Sequence, residues 1–352
     1  MTKAPIDIRP FDPAGASDHE YTAMNRHENR AKQERQPEDP PTTLDEMTAI
    51  MQNIPPFVSV EKWVVWDHAG TEIVADAEVA IVRMEENTHL AHFGIVVEPD
   101  YRRRGTGREL LRRVAEVARR EGRRLMMTHT SARVSAGEAF MERLGAERGQ
   151  EMHINRLLLA DLDRDVIARW QAAGRESAAG FTMVWRDGPY PDDQIDAIAA
   201  LTNSTMNTAP RDRLDIEDIN ITPEHLRQID RTMTASGIQR WMLYASEAMT
   251  RRLAGFTEVT WNPNRPEVAN QGATGVYPEF RRRGLGRWLK AAMLERVLAD
   301  RPDALSVRTG NADSNAAMRG INIALGFQPY IAHCTWQLET SKVVSYLGGG
   351  SG

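Results

Sequence analysis

The sequence predicts an α+β protein made of two tandem domains, each a mixed sheet flanked by helices. Two observations carry that prediction. First, a strand end, a proline, three arginines, a Gly-x-Gly turn and a helix occur twice, in residues 95–114 (IVVEPDYRRRGTGRELLRRV) and 274–294 (TGVYPEFRRRGLGRWLKAAML). Second, the same order of elements surrounds both copies: strand, two helices, three strands, helix, strand, helix, strand. One glycine turn between a strand and a helix would be a weak signal. Two in matching context indicate duplication of a whole domain.

In the first half, residues 6–10 alternate as a strand. Residues 18–38 are charged and helical, closed by the prolines at 37–41. Thr43, with Glu46 three places on, opens a second helix that ends before Pro55 and Pro56. Residues 62–66, 73–82 and 89–97 read as strands. A helix over 107–120, a strand over 124–128, a helix over 138–144 and a strand over 151–159 complete the half. Residues 161–177 join the halves and have helical character. In the second half the series restarts with a strand at 181–185 and a helix at 192–205. A polar loop spans 206–223. A helix over 223–235 follows, with Thr222 as cap and Pro223 at its first position. Strands at 241–246, 254–261 and 271–277 lead into the arginine turn. Beyond the next helix, residues 304–308 form a strand and 330–338 a late strand. The expected organisation is a first domain over 1–160, a linker over 161–180, a second domain over 181–340 and a tail over 341–352. Within that tail, the final Gly348-Gly349-Gly350-Ser351-Gly352 reads as an appended linker.

At 352 residues, the chain has room for two ordinary domains. Apolar residues make up 41% and charged residues 26%, as in soluble globular proteins. The net charge of −5 argues against a general nucleic-acid binder. The single cysteine, Cys334, excludes an intrachain disulfide framework and a cysteine-rich zinc site; in a late strand it reads as a buried small hydrophobe. No metal is called for. The N-terminus lacks the apolar segment of a signal peptide and no run is long enough to span a bilayer, so a cytoplasmic location with no membrane partner is expected.

The two turns are anion sites in outline. The first N–H groups of a helix have no intrahelical acceptor, and the helix dipole adds positive potential. Gly284 and Gly286, and Gly105 and Gly107, let the backbone approach a phosphate closely. On these residues the chain resembles a tandem GNAT-superfamily acyl-CoA N-acyltransferase. The resemblance is sharper in the second half, where the turn is followed by Thr309-Gly310-Asn311-Ala312-Asp313-Ser314-Asn315, a helix and Leu325-Gly326-Phe327. It implies a mostly antiparallel sheet in each domain, splayed between its fourth and fifth strands to admit coenzyme A. It also implies acetyl-CoA as acyl donor. Arg281, Arg282, Arg283, Gly284, Leu285 and Gly286 would bind the pyrophosphate, Val276 would align the pantetheine, and Asn311 and Asn315 would lie beside it. In the first half the matching residues are Arg102, Arg104, Gly105, Thr106 and Gly107.

Acyl transfer to an amine needs a base for the amine proton and a donor for the oxyanion, with no covalent enzyme intermediate. Glu258, in the strand Gly255-Phe256-Thr257-Glu258-Val259, is the candidate base, because a carboxylate in an apolar strand is either paired or functional. Glu78 matches it in the first half. Both also fit a solvated sheet face or an arginine partner. Gln271 is a second candidate, not as the base, which an amide cannot be, but to hold a water or the substrate; His92 at the matching place in the first half could act as a base. Many members of the family carry a tyrosine acid in the last helix. Reading back from Leu325-Gly326-Phe327, that place holds Asn322 here, and Met141 in the first half, which leaves Tyr330 and Tyr277 as replacements. The asparagines place catalysis in the second half. The first half either holds coenzyme A as well or is a degenerate copy completing the cleft. An acidic loop (Asp212, Asp215, Glu217, Asp218) suits a cationic acceptor, and Trp241, Trp261 and Trp336 are candidates for lining its pocket. The expected activity is acetyl transfer to a primary amine of a small molecule. A non-catalytic acyl-CoA sensor and a protein-lysine acetyltransferase are the alternatives.

Overall fold

The computed structural model describes residues 7–348. Ile6 of the first expected strand and the glycines and serine beyond Gly348 lie outside them. In chain order the elements are β1 (Ile8–Pro10), α1 (Asp18–Arg35), α2 (Leu44–Gln52), β2 (Val58–Trp66), β3 (Ile73–Val82), β4 (Leu90–Val97), α3 (Thr106–Arg120), β5 (Leu125–Ser131), α4 (Ser135–Arg143), β6 (Glu147–Leu158), α5 (Arg164–Ser177), β7 (Phe181–Asp187), α6 (Ile195–Asn207), α7 (Pro223–Ala235), β8 (Gln239–Glu247), β9 (Leu253–Trp261), β10 (Val268–Val276), α8 (Leu285–Asp300), β11 (Ser306–Ala312), α9 (Ala316–Ala324), β12 (Gln328–Glu339) and α10 (Thr340–Gly348). The two expected caps form: Thr43 accepts from the Glu46 N–H at α2, and Thr222 with Pro223 opens α7. On α1 the structure adds a reciprocal capping box between Ser17 and Glu20.

The described chain divides into two compact units. The first holds residues 7–150, 213–216 and 333–348. Its strands pair in the order β1-β2-β3-β4-β5-β12, antiparallel except for β4 with β5, which is parallel. Leu110, Leu111, Val114 and Ala118 of α3 pack on Val79 and Ile81 of β3, and Trp336 and Leu338 of β12 join the same core. The second unit holds residues 151–212 and 217–332. Its order is β7-β8-β9-β10-β11-β6, antiparallel except for β10 with β11. Leu285, Leu289, Met293 and Val297 of α8 pack on Val259 and Trp261 of β9. The mixed, mostly antiparallel α+β fold is thus present twice.

The boundaries differ from those expected at 160, 180 and 340. Each half surrenders its closing strand and the helix after it. The paired part of β12, with α10, completes the first unit, while the paired part of β6, with α5, completes the second. The supposed linker is therefore a core helix: Ile167 is buried, and a Cβ at Gly174 would stand 2.4 Å from Trp288 Cγ. The supposed tail buries Val343 and Leu347. Alternation announces a strand but not the strand it pairs with.

Candidate functional site

The two parallel pairs share one peculiarity. β4 pairs with β5 only over Leu90, Ala91 and His92, and β10 pairs with β11 only over Val268, Ala269 and Asn270. Beyond those residues the strands part. Five residues of β4 and six of β10 therefore face an opening with unshared backbone groups, and each strand then runs into its arginine turn.

The two turns have the same backbone. Arg103 and Arg282 take left-handed φ values of 62° and 64°, and Gly105 and Gly284 follow at 94° and 77° as helix N-caps. That sequence aims successive N–H groups at one point, and the first N–H groups of α3 and α8 lie just beyond it. Left-handed φ is costly for Arg103 and Arg282, and the neighbouring arginine braces the turn. Arg102 Nε donates to the Val97 carbonyl at 2.8 Å, and its other nitrogens pair with Glu34 at 2.8 and 2.5 Å. Arg281 Nε donates to the Val276 carbonyl at 3.0 Å and Nη2 to Thr208 Oγ1 at 2.9 Å. Each guanidinium thus fixes the turn to the strand end, and the anion-binding capacity lies in the backbone. These turns fit a pyrophosphate.

Glu258 lies where β9 meets an irregularity in β10 between Gln271 and Thr274. Its Oε1 accepts the Ala273 N–H at 3.4 Å, and a Cβ at Gly272 would stand 2.6 Å from that oxygen. Burial raises its pKa above the usual carboxylate value, against the opposing pull of Arg240 and the Ala273 N–H. Tyr190 and Tyr244 lie in its field: their hydroxyl pKa values are raised, first by burial. Arg240 is occupied by Asp230, a buried pair whose other carboxylate oxygen holds the Tyr190 N–H at 2.7 Å. Gln271 points inward and donates to Thr257 Oγ1 and the Glu258 carbonyl at 2.8 and 2.6 Å, leaving its Oε1 buried without a partner. In the first unit Glu78 lies opposite Gly94 in regular register, where a Cβ would stand 3.9 Å from its Oε1, an ordinary contact without the irregularity that Glu258 meets.

Other sequence candidates are engaged elsewhere. Asn315 caps α9 through the Met318 N–H, and Asn311 accepts from Asn322 Nδ2 at 2.6 Å. Tyr330 lies beneath two guanidinium groups, Arg156 at 4.3 Å and Arg308 at 4.8 Å from its ring centroid. Trp241 and Trp261 pack edge to face in the core, and Trp336 belongs to the first unit, where its indole N–H meets Thr130 Oγ1. The acidic loop is divided. Residues 213–216 are part of the first unit, with Asp215 bonded to Arg124 at 2.6 Å, and Asp218 pairs with Arg211. Both are exposed surface pairs.

The first unit carries features that the sequence reading missed. A cavity of about 720 Å³ runs from Arg102, Gly105 and Gly107 past Phe93 and Thr128 to Glu28, Lys62, Asp76 and Glu78. Lys62 Nζ stands 2.8 Å from Asp76, 3.1 Å from Glu78 and 3.9 Å from Glu28. His27, fully buried, bridges Asp76 at 3.1 Å and Glu98 at 2.9 Å. The available signals were Lys62 and Asp76, an opposite charge on each of two neighbouring, mostly apolar strands. A cavity of this size is ample for a small-molecule ligand.

Comparison with known proteins agrees with this architecture. Residues 23–146 match the model of the Acetyltransferase (GNAT) family. A search of curated proteins finds no match. Among solved structures, a tandem GNAT protein from the clavulanic acid biosynthesis pathway is similar over 96% of this chain and 99% of its own, with a TM-score of 0.77 and 24% identity. A GCN5-related N-acetyltransferase from Sphaerobacter thermophilus is similar over 95% of this chain and 96% of its own, with a TM-score of 0.66 and 14% identity. Residues 23–146 thus match the Acetyltransferase (GNAT) family model, and the chain as a whole shares the fold of these tandem proteins.

Proposed function

We propose that the protein is an N-acetyltransferase that moves an acetyl group from acetyl-CoA to a primary amine of a small molecule, with catalysis in the second unit. The observation that carries this reading is Glu258, a half-buried carboxylate of raised pKa held against the irregularity of β10, beside the parted strands β10 and β11. Acetyl-CoA supplies an activated thioester. The backbone N–H groups of Leu285 and Gly286 hold its anionic end, with Arg281 bracing the turn and Arg282 and Arg283 adding positive charge nearby. The unpaired backbone of β10 up to Val276 aligns the amide-bearing arm. The Glu258 carboxylate takes the proton from the attacking amine, directly or through one water, and a raised pKa brings it closer to the operating pH. The parallel turn and cavity of the first unit favour a binding role for that unit too, through Arg102, Arg104, Gly105, Thr106 and Gly107.

The test is release of coenzyme A thiol when the protein meets acetyl-CoA and a panel of amines, with products identified by mass spectrometry. Thiol release with small amines supports the reading. Acetylated peptides alone would favour the protein-lysine alternative, and binding without turnover the sensor. Gly272→Ala offers a second check. The new methyl must displace the Glu258 carboxyl, so turnover is expected to fall by about tenfold or more while the unfolding temperature changes little.

A further inference from the structure

In the second unit the strand register sets a row of side chains beside Glu258. Thr260, two residues along β9 from Glu258, lies opposite Asn270 of β10. Asn270 lies beside Arg308 of β11, the last pair before those strands part. Arg308 in turn lies opposite Arg156 of β6. Residues in register point to the same side of a sheet, so Glu258, Thr260, Asn270, Arg308 and Arg156 share one face. The alternate positions Val259, Ala269, Val307 and Leu157 belong to the core that packs on α8 at the other. Strand spacing and rise put the Cα atoms of Glu258 and Arg308 about 12 Å apart.

Two guanidinium groups directly opposite one another on neighbouring strands repel, and burial weakens the screening that would relieve them. Arg308 is 9% exposed and Arg156 is half-buried. Both lie against the ring of Tyr330, which supplies cation–π attraction but no negative charge. Among the described residues Arg156 has no carboxylate partner. A ring against the face of a guanidinium leaves its in-plane N–H groups to bond elsewhere, and that fork matches a carboxylate or a phosphate. Two facing cations thus stand where β10 and β11 part, on the face that carries the candidate base.

We propose that Arg156 and Arg308 form an anion subsite in the second unit, which takes a carboxylate or phosphate group of the acceptor while Glu258 receives its amine. The substrate class is then a small zwitterion, with an amine and an anionic group joined by a short chain. The inference rests on the acetyl-transfer reading above. Thr260 and the exposed Asn270 lie between the two ends. An acceptor anchored at both ends has its amine oriented before attack, and a neutral amine of the same length lacks the second anchor.

The experiment measures kcat and KM for wild type, Arg156→Gln and Arg156→Lys in the full chain. The acceptors are β-alanine, γ-aminobutyrate and ε-aminocaproate with their carboxamides, and phosphoethanolamine with ethanolamine. In wild type at least one anionic acceptor is expected to exceed its neutral counterpart in kcat/KM by about 10–100-fold. Comparing the carboxylates with phosphoethanolamine identifies the anion. Arg156→Gln is expected to raise KM for the anionic acceptors by about 10–100-fold, with kcat little changed and the neutral amines unaffected. Arg156→Lys is expected to recover part of that loss, because an ammonium keeps the charge but not the fork. A wild type without preference for the anionic acceptors would overturn the proposal, as would an Arg156→Gln variant that loses neutral and anionic acceptors alike. Should wild type release no thiol with any amine, the acetyl-transfer reading fails. The subsite is then read by calorimetric titration of ε-aminocaproate and phosphoethanolamine into the protein with coenzyme A. Binding that Arg156→Gln abolishes would uphold the subsite, and binding that is absent or survives the substitution would overturn it.

Discussion

Replacing Glu258 by glutamine is expected to lower kcat by about 10²–10³ while leaving the fold intact or slightly more stable. Glutamine keeps the side chain's shape, and its amide oxygen can still accept the Ala273 N–H. What disappears is a base. The pH dependence separates this from a packing effect. Burial raises the folded pKa of Glu258, so the carboxylate is present only above that raised value. Wild-type activity should therefore rise with pH through a limb placed above the ordinary glutamate range, and the limb should vanish in Glu258→Gln. The stability sign runs the other way. Ionising a buried carboxylate costs free energy, so the fold loses stability as pH rises from the unfolded pKa through the raised one. Removing the charge relieves that cost at neutral pH. A variant that lost kcat and also unfolded more readily would point to a structural role.

Asp76→Ala is expected to cost about 3–5 kcal/mol, or about 10 °C in the unfolding temperature. Asp76 is 3% exposed and serves Lys62 and His27 at once. Removing it leaves a buried ammonium with Glu78, which is half exposed, and with Glu28 at 3.9 Å. Burial would raise the Asp76 pKa, but Lys62 and His27 outweigh it and hold it well below the carboxylate range. For His27 burial acts downward, and Asp76 and Glu98 reverse it, raising the pKa to about 9. The Asp76 contribution is thus present above the unfolded carboxylate pKa and fades as pH falls below it. The His27 contribution is complete below its unfolded pKa and is lost as pH rises through about 9. Calorimetric unfolding across that range should show both limbs in wild type and flatten them in Asp76→Ala.

The duplication was legible because a glycine turn with its prolines and arginines is a local pattern, and the turns came out alike down to the left-handed Arg103 and Arg282. Glu258 stood out for an equally local reason, a carboxylate in an apolar strand. The exchange of β6 and β12 was not legible: strand pairing is a long-range choice, and both strands carry the same alternation. The facing of Arg156 and Arg308 was missed for the same reason, since only the pairing of β6 with β11 brings them opposite. The bonds of Asn311 and Asn315 to Asn322 and Met318 could not be read from sequence, since an asparagine near a helix start fits a cap and a ligand equally well.

The most direct measurement is calorimetric titration of acetyl-CoA into wild type, Arg102→Ala and Arg281→Ala, with turnover followed on the same samples. Arg281 ties its turn to Val276 and Thr208, so its loss should release the strained Arg282 backbone and weaken binding at the second unit by about tenfold or more. The account predicts that Arg281→Ala loses this site together with turnover, while Arg102→Ala keeps both. Binding and turnover that survive Arg281→Ala but fail in Arg102→Ala would contradict it and move catalysis to the first unit.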